Sequence, residues 1–203
     1  MLKRPMADPQ RFAETASALL IRKPDDADGP AVHALIGRCP PLDANSLYCN
    51  LLQCAHFAET SALAERGRRL CGFVSGFIVP GRPRHLFIWQ VAVAPEARGR
   101  ALGQRMMRAI LARPALAAVR ELHTTVTPDN AASAAMFEAL ARELGAPLSR
   151  RVLFECQRHF GGRHASEVLF EIGPFASGGA AAPRPRSHQP HPQAPTSTGG
   201  NSA

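Results

Sequence analysis

The sequence predicts an α/β (α+β) domain: a mixed, mostly antiparallel sheet of about six or seven strands flanked by about four helices. Three observations carry this. Short β-branched and aromatic runs alternate with segments of helical spacing. Hydrophobic residues make up 45% of the 203, enough for a core. Residues 61–65 and 70–79, on either side of Arg66-Gly67-Arg68, read as an antiparallel hairpin.

The elements follow in order. Residues 18–22 read as a short apolar strand. Pro24-Asp25-Asp26 opens a helix, with carboxylates where the helix dipole favours them. Val32, Leu35 and Ile36 form its apolar face, and it ends before Pro40-Pro41. Asp43 or Asn45 caps a second helix bearing Leu47, Leu51 and Leu52. Residues 61–65 and 70–79 pair as a hairpin across Arg66-Gly67-Arg68, with Gly72 and Gly76 as candidate bulges. Residues 85–94 form a third sheet segment. Residues 101–111 form a helix ended by Pro114. Residues 121–127 are rich in Thr and Val and read as a strand. Asp129 caps a helix through Leu144, which Gly145 closes. Residues 151–155 and 168–172 are late strands.

The ends differ in character. Residues 1–17 read as a flexible extension, and 176–203, rich in Pro, Gly and Ser, as a disordered tail. The domain is expected over 18–175. No apolar run approaches the ~18 residues of a membrane span, and no basic start followed by an apolar core marks a secretory signal. A cytoplasmic protein without membrane association is the expectation. The net charge of +8 comes mainly from arginine, since only Lys3 and Lys23 are lysines. No basic run is interleaved with aromatics, so nucleic acid is not the expected partner. The five cysteines form no Cys-x-x-Cys pair, which fits a reduced compartment. Cys156, His159 and His164 have metal-like spacing but lack a fourth ligand, so no metal is expected.

The sharpest chemical signal is Val91-Ala-Val93-Ala-Pro-Glu-Ala-Arg98-Gly99-Arg100-Ala101-Leu102-Gly103. An apolar strand enters a Gly- and Arg-bearing turn that opens a helix. The first helical turn leaves backbone N–H groups without partners, and these favour an anion. Small residues at 99, 101 and 103 allow close approach, and Arg98 and Arg100 add charge suited to phosphate. The segment is neither a Walker A loop nor a Gly-x-Gly-x-x-Gly fingerprint.

This motif resembles the acetyl-CoA signature of the GNAT N-acetyltransferases, Arg/Gln-x-x-Gly/Ala-x-Gly/Ala, at Arg98, Ala101 and Gly103. Thr127-Pro-Asp-Asn130-Ala-Ala-Ser133 through Phe137 is similar to the family's second signature. The resemblance implies the GNAT fold and acetyl-CoA as co-substrate. It implies that backbone from Arg98 to Gln104, Leu102 and Gly103 included, holds the pyrophosphate. It also implies that Val91 and Val93 pair with the pantetheine arm and that Asn130 and Ser133 contact the cofactor. Phe137 stands where many relatives carry a Tyr that protonates the leaving thiolate.

Three further stretches narrow this. Leu42-Asp43-Ala-Asn45-Ser46-Leu-Tyr48, Phe87-Ile-Trp89-Gln90-Val91 and His159-Phe-Gly-Gly-Arg-His164-Ala-Ser-Glu167 closely resemble the L-2,4-diaminobutyrate acetyltransferase family of ectoine biosynthesis. That resemblance implies acetylation of the N4 amine of L-2,4-diaminobutyrate and a homodimer. Its chemistry suits the residues. A small diamine wants carboxylates, so Asp43 and Glu167 are substrate-binding candidates and Glu167 is the expected base. Trp89 offers a cation–π face. The Tyr48 hydroxyl is a candidate for the substrate carboxylate, and His164 for orienting Glu167. A strand N–H near Val91 or Ala92 is expected to steady the oxyanion. A GNAT enzyme for another amine, such as ornithine, an aminoglycoside or a protein N-terminus, is the alternative.

Overall fold

The structure, a computed structural model, describes residues 18–176. The expected extension over 1–17 and the tail beyond residue 176 lie outside the described residues. The described chain forms one seven-stranded sheet with helices on both faces.

Strand β1 (Leu19–Arg22) leads into a 3-10 turn (Asp26–Asp28) and helix α1 (Gly29–Gly37). Helix α2 (Leu47–His56) precedes β2 (Ala62–Arg66) and β3 (Arg69–Ile78), the expected hairpin. Then come β4 (His85–Val93), α3 (Leu102–Leu111) and β5 (Glu121–Val126). Helix α4 (Ala131–Leu144), β6 (Leu148–Phe154), the short α5 (Cys156–Phe160) and β7 (Glu167–Ile172) complete the order. The sheet runs β1-β2-β3-β4-β5-β7-β6. Only β4 and β5 pair in parallel; every other neighbour is antiparallel.

Two cores cover the sheet. On one face Met106, Met107, Ile110 and Leu111 of α3 and Phe137, Leu140 and Leu144 of α4 pack on Leu86, Ile88 and Leu122. On the other, Val32, Leu35 and Ile36 of α1 meet Leu63, Phe73 and Ala92. Burial pushes the Cys54 thiol up to about 11, and the Cys49 thiol upward as well.

Several starting signals read differently in the structure. Asp25 caps the 3-10 turn, not α1, in a reciprocal box with Asp28. Ser46, rather than Asp43 or Asn45, caps α2: its Oγ accepts from the Cys49 N–H at 3.1 Å. The Asp43 carbonyl and the Asn45 side chain are engaged instead by Gln90. Asn130 caps α4 by accepting from the Ser133 N–H at 3.0 Å. Asp129 does not cap, because its carboxyl accepts from Thr127, which holds it below the usual carboxylate range. Helix α5 was not expected.

The end of β1 is tied to the helical layer by charge. Arg22 Nη1 and Nη2 donate to the two Asp28 oxygens at 2.7 Å each, and Glu65 on β2 accepts from the same guanidinium at 3.3 Å. The bond from Arg22 holds the Asp28 carboxyl below its usual range. A depressed carboxyl stabilises the fold above its unfolded pKa, and this is lost as pH falls through the folded value. We expect Asp28→Asn to cost about 1–2 kcal/mol at pH 7. The difference from wild type should shrink below about pH 4, read by urea unfolding at several pH values.

Candidate active site

A cavity of about 690 Å³ opens where β4 and β5 part. Their pairing runs only from His85↔Glu121 to Ile88↔Thr124. Beyond it, Val91 on one side and Thr125, Thr127 and Asn130 on the other face each other across the gap.

A bulge in β4 produces the opening. Ser75 pairs with Gln90 but Gly76 with Ile88, so Trp89 has no partner on β3. The sequence placed this irregularity at Gly76; the extra residue lies opposite, on β4. One inserted residue exchanges the faces of a strand. Leu86 and Ile88 therefore belong to the α3/α4 core, whereas beyond the bulge Ala92 turns to the α1 core and Val91 and Val93 take the first face. The Ala94 N–H donates to Cys71 O at 2.9 Å. Antiparallel alternation then points the Ala92 N–H toward β3 and leaves that of Val91 on the cavity side.

Acid and base groups converge on this cavity from three segments. Asp43 comes from the loop before α2, Glu167 from the first position of β7, and His164 from the loop between α5 and β7. His164 Nε2 lies 3.9 Å from Asp43 Oδ2 and 3.9 Å from Glu167 Oε1. Its Nδ1 lies 2.7 Å from Ala165 O, which requires the proton on Nδ1 and leaves Nε2 toward the two carboxylates. Gly161 and Gly162 both adopt positive φ, 58° and 77°, and turn the chain back after α5 so that His164 reaches the cavity. A shift in the β6–β7 register beside Phe154↔Glu167 re-aims the strand at this same point.

Trp89 lines the cavity, 46% exposed, with its ring edge-on to Phe77 at 6.5 Å. Val91, Asn130 and Ser133 line it too, as does Phe137, whose side chain is otherwise in the core. The structure does not bring Tyr48 to this cavity: it is 70% exposed on α2.

The anion turn stands at the end of β4, beside rather than inside the cavity lining. Gly99 and Ala101 have φ of 75° and 51°. Ala101 is the only non-glycine residue with positive φ among the described residues, which is why glycine suits that position. The α3 ladder begins with the Arg105 N–H donating to Ala101 O, so the preceding N–H groups of the turn have no intrahelical acceptor. The side chains of this segment serve packing. Leu102 is buried, and a Cβ on Gly103 would lie 2.6 Å from Met136 Sδ. Gln104 Nε2 donates to Met136 O. Arg98 Nε donates to Val93 O, so Val93 spends its carbonyl on the turn, and Arg100 lines a separate cavity of about 300 Å³.

Sequence reasoning missed Gln90. It is buried, donates to Asp43 O and accepts from Asn45 Nδ2, both at 3.1 Å. The signal was a long polar side chain inside an otherwise apolar strand. Thr125, Thr127, Asp129 and Arg163 also line the cavity. Among the described residues the ligand atoms of Cys156, His159 and His164 do not come together as a group, whereas those of His85, Glu121 and His123 lie within 4.8 Å of one another.

Comparisons with known proteins agree with this geometry. Residues 30–141 match the model of the acetyltransferase (GNAT) family. An L-2,4-diaminobutyric acid acetyltransferase of Methylotuvimicrobium alcaliphilum is 49% identical over 157 residues, 77% of this chain and 91% of that protein. The one from Halomonas elongata is 45% identical over 79% of this chain and 83% of its own length. Among solved structures, the diaminobutyrate acetyltransferase EctA of Paenibacillus lautus, in complex with L-2,4-diaminobutyric acid and coenzyme A, superposes with a TM-score of 0.75. It is 36% identical and covers 78% of this chain and 96% of its own.

Gln90→Leu removes both bonds that hold the Asp43 loop. The expected outcome is a loss of about 1 kcal/mol in stability. Amide exchange should quicken at residues 42–46 and stay unchanged in the buried part of β4, measured by hydrogen–deuterium exchange.

Proposed function

The chain belongs to the GNAT acetyltransferases, and within them to the L-2,4-diaminobutyric acid acetyltransferases; on that premise we propose that it acetylates the N4 amine of L-2,4-diaminobutyrate with acetyl-CoA. The convergence of Asp43, His164 and Glu167 on the gap beside the Val91 edge carries this reading. Two carboxylates suit a substrate with two ammonium groups, and Trp89 adds a cation–π face.

The turn from Arg98 to Gln104 fits the pyrophosphate of acetyl-CoA. Its N–H groups from Gly99 to Gln104 are free of intrahelical partners, and its two left-handed residues curl the backbone into an anion-accepting concavity. Arg98 and Arg100 add positive charge, and Val91 presents its backbone edge to the pantetheine arm. Val93 supports the same strand end through its carbonyl bond to Arg98. Asn130 spends Oδ1 on capping α4, which leaves its Nδ2 for the co-substrate, with Ser133 next to it on the cavity wall.

The substrate amine arrives protonated. At an amine pKa of about 10, the neutral form costs about 4–5 kcal/mol at pH 7. Glu167, largely shielded at the head of β7 and flanked by His164, accepts that proton. Asp43 holds the second ammonium group. The Val91 N–H steadies the oxyanion formed on attack. Phe137 supplies no proton to the departing sulfur. A thiol of pKa about 8.5 leaves as the thiolate for about 2 kcal/mol at pH 7, which is tolerable.

Exposed apolar side chains support a homodimer: Leu47, Tyr48 and Leu52 along α2, with Val152 and Phe154 on the edge strand β6. Tyr48 belongs to that surface rather than to the cavity of its own chain. No helix among the described residues is long and apolar enough to cross a membrane. We assign the enzyme to the cytoplasm, where acetyl-CoA is supplied.

Thiol release with diaminobutyrate, ornithine, lysine and diaminopropionate, followed by NMR of the product, tests the substrate. Fast release with diaminobutyrate and acetylation at N4 are expected; preference for another amine rejects the assignment. Glu167→Gln should lower kcat by about 10²–10³-fold with coenzyme A affinity unchanged. Asp43→Ala should raise KM for the amine more than it lowers kcat. Normal turnover in both variants would overturn these roles.

A further inference from the structure

At the opposite ends of β4 and β5 from the acetyl-transfer cavity stands a second cluster that the reaction does not use. His85 opens β4 and pairs in register with Glu121, which opens β5; His123 follows two residues later, opposite Phe87. The three side chains share one sheet face. His85 Nε2 lies 3.0 Å from Glu121 Oε2, and His123 Nε2 lies 3.3 Å from the same oxygen. One candidate ligand atom from each residue falls within 4.8 Å of the other two. The imidazoles stand edge to face, their centroids 5.0 Å apart at 81°.

We propose that His85, Glu121 and His123 form a divalent transition-metal site, with zinc as the cation the donor set fits. Two imidazole nitrogens and one carboxylate oxygen are a known zinc-binding set, and three protein ligands leave a fourth position for water. Magnesium and calcium want oxygen throughout, so the nitrogen pair excludes them.

The distances agree. Metal bonds of about 2.0–2.2 Å in a tetrahedron place ligand atoms about 3.3–3.5 Å apart. Two of the three separations are already 3.0 and 3.3 Å. The two ring nitrogens lie within 4.8 Å of each other, and only they need to approach to reach tetrahedral spacing.

The surroundings favour a cation over a plain hydrogen-bonded cluster. Two ring nitrogens crowd one carboxylate oxygen, at 3.0 and 3.3 Å, so one acceptor atom is shared between two imidazoles, an arrangement that a cation between the three would suit. Among the described residues Glu121 forms ion pairs only with these two histidines. The neighbouring Arg120 turns its guanidinium to the Ala117 and Val119 carbonyls instead. The His123 side chain is 8% exposed and those of His85 and Glu121 are 21% and 36% exposed, which leaves a path for a metal ion. The ligands sit on strands, which fixes their geometry. A bound ion would clamp the one parallel pairing in the sheet at its closed end, while the same two strands part at the other.

The test uses untagged full-length protein stripped with a chelator, titrated with zinc chloride by calorimetry and checked by metal analysis after dialysis. One zinc per chain is expected, with a rise in Tm that follows zinc concentration. Cobalt(II) in its place should give the ligand-field bands of a four-coordinate site. His85→Gln and Glu121→Gln, at the more exposed positions, should each weaken zinc binding by more than about 10-fold. His56→Gln, at an exposed position on α2, should leave it unchanged. Absence of stoichiometric binding would overturn the proposal. So would equal affinity in both ligand variants, or loss of binding in Cys156→Ser instead. None of these readouts depends on acetyl transfer.

Discussion

One inserted residue organises the active half of the molecule. Trp89 has no partner on β3, and everything distinctive about the cleft follows from it. The bulge bends β4 away from β5 just after Ile88↔Thr124, so two strands that are hydrogen-bonded at one end present free edges at the other. It exchanges the faces of β4, which puts Ala92 under α1 and aims the Val91 backbone at the gap. It also leaves the indole half exposed on the cavity wall. A regular strand would have buried that edge in the sheet ladder.

The carboxylates are positioned by less regular means. Asp43 is almost fully exposed and owes its place to its own carbonyl, held by Gln90. Glu167 is shielded and owes its place to a strand end and a register shift. His164 stands between them because two glycines reverse the chain after α5. The three segments share no secondary structure, and a buried glutamine, a bulge and a glycine turn bring them to one point. The cavity thus combines a strand-built wall with a polar rim assembled from loops.

The order and type of the main strands and helices were legible because hydrophobic period and turn chemistry are local properties. The cap residues were less so. Asn45 and Asp129 carry capping side chains that Gln90 and Thr127 engage instead, while Asp43 is held by its carbonyl to Gln90 with its carboxylate left exposed, and Ser46 takes the cap. That choice depends on tertiary contacts. The short α5 escaped notice because five residues give no period to read. The cavity residues Asp43, Trp89, His164 and Glu167 were legible through their motifs, and the structure gathers them. Gln90 sat inside one of those motifs, but its role needed knowledge of which face it turns to after the bulge. Tyr48, in the same motif as Asp43, faces outward because helical geometry from the Ser46 cap sets its direction.

A protein that holds an activated acyl thioester carries a hazard in its own cysteines, since any thiolate within reach is a competing acceptor. Burial raises the Cys54 and Cys49 thiols, and at a value of about 11 only about one Cys54 side chain in ten thousand is ionised at neutral pH. Cys39, whose sulfur lies 3.4 Å from the Val93 carbonyl at the end of β4, donates its S–H to that oxygen, and Cys71 does the same to Arg69 O. The burial that shapes the core therefore also raises the Cys54 and Cys49 thiols, and a thiol so raised is a poor competitor for an acyl group.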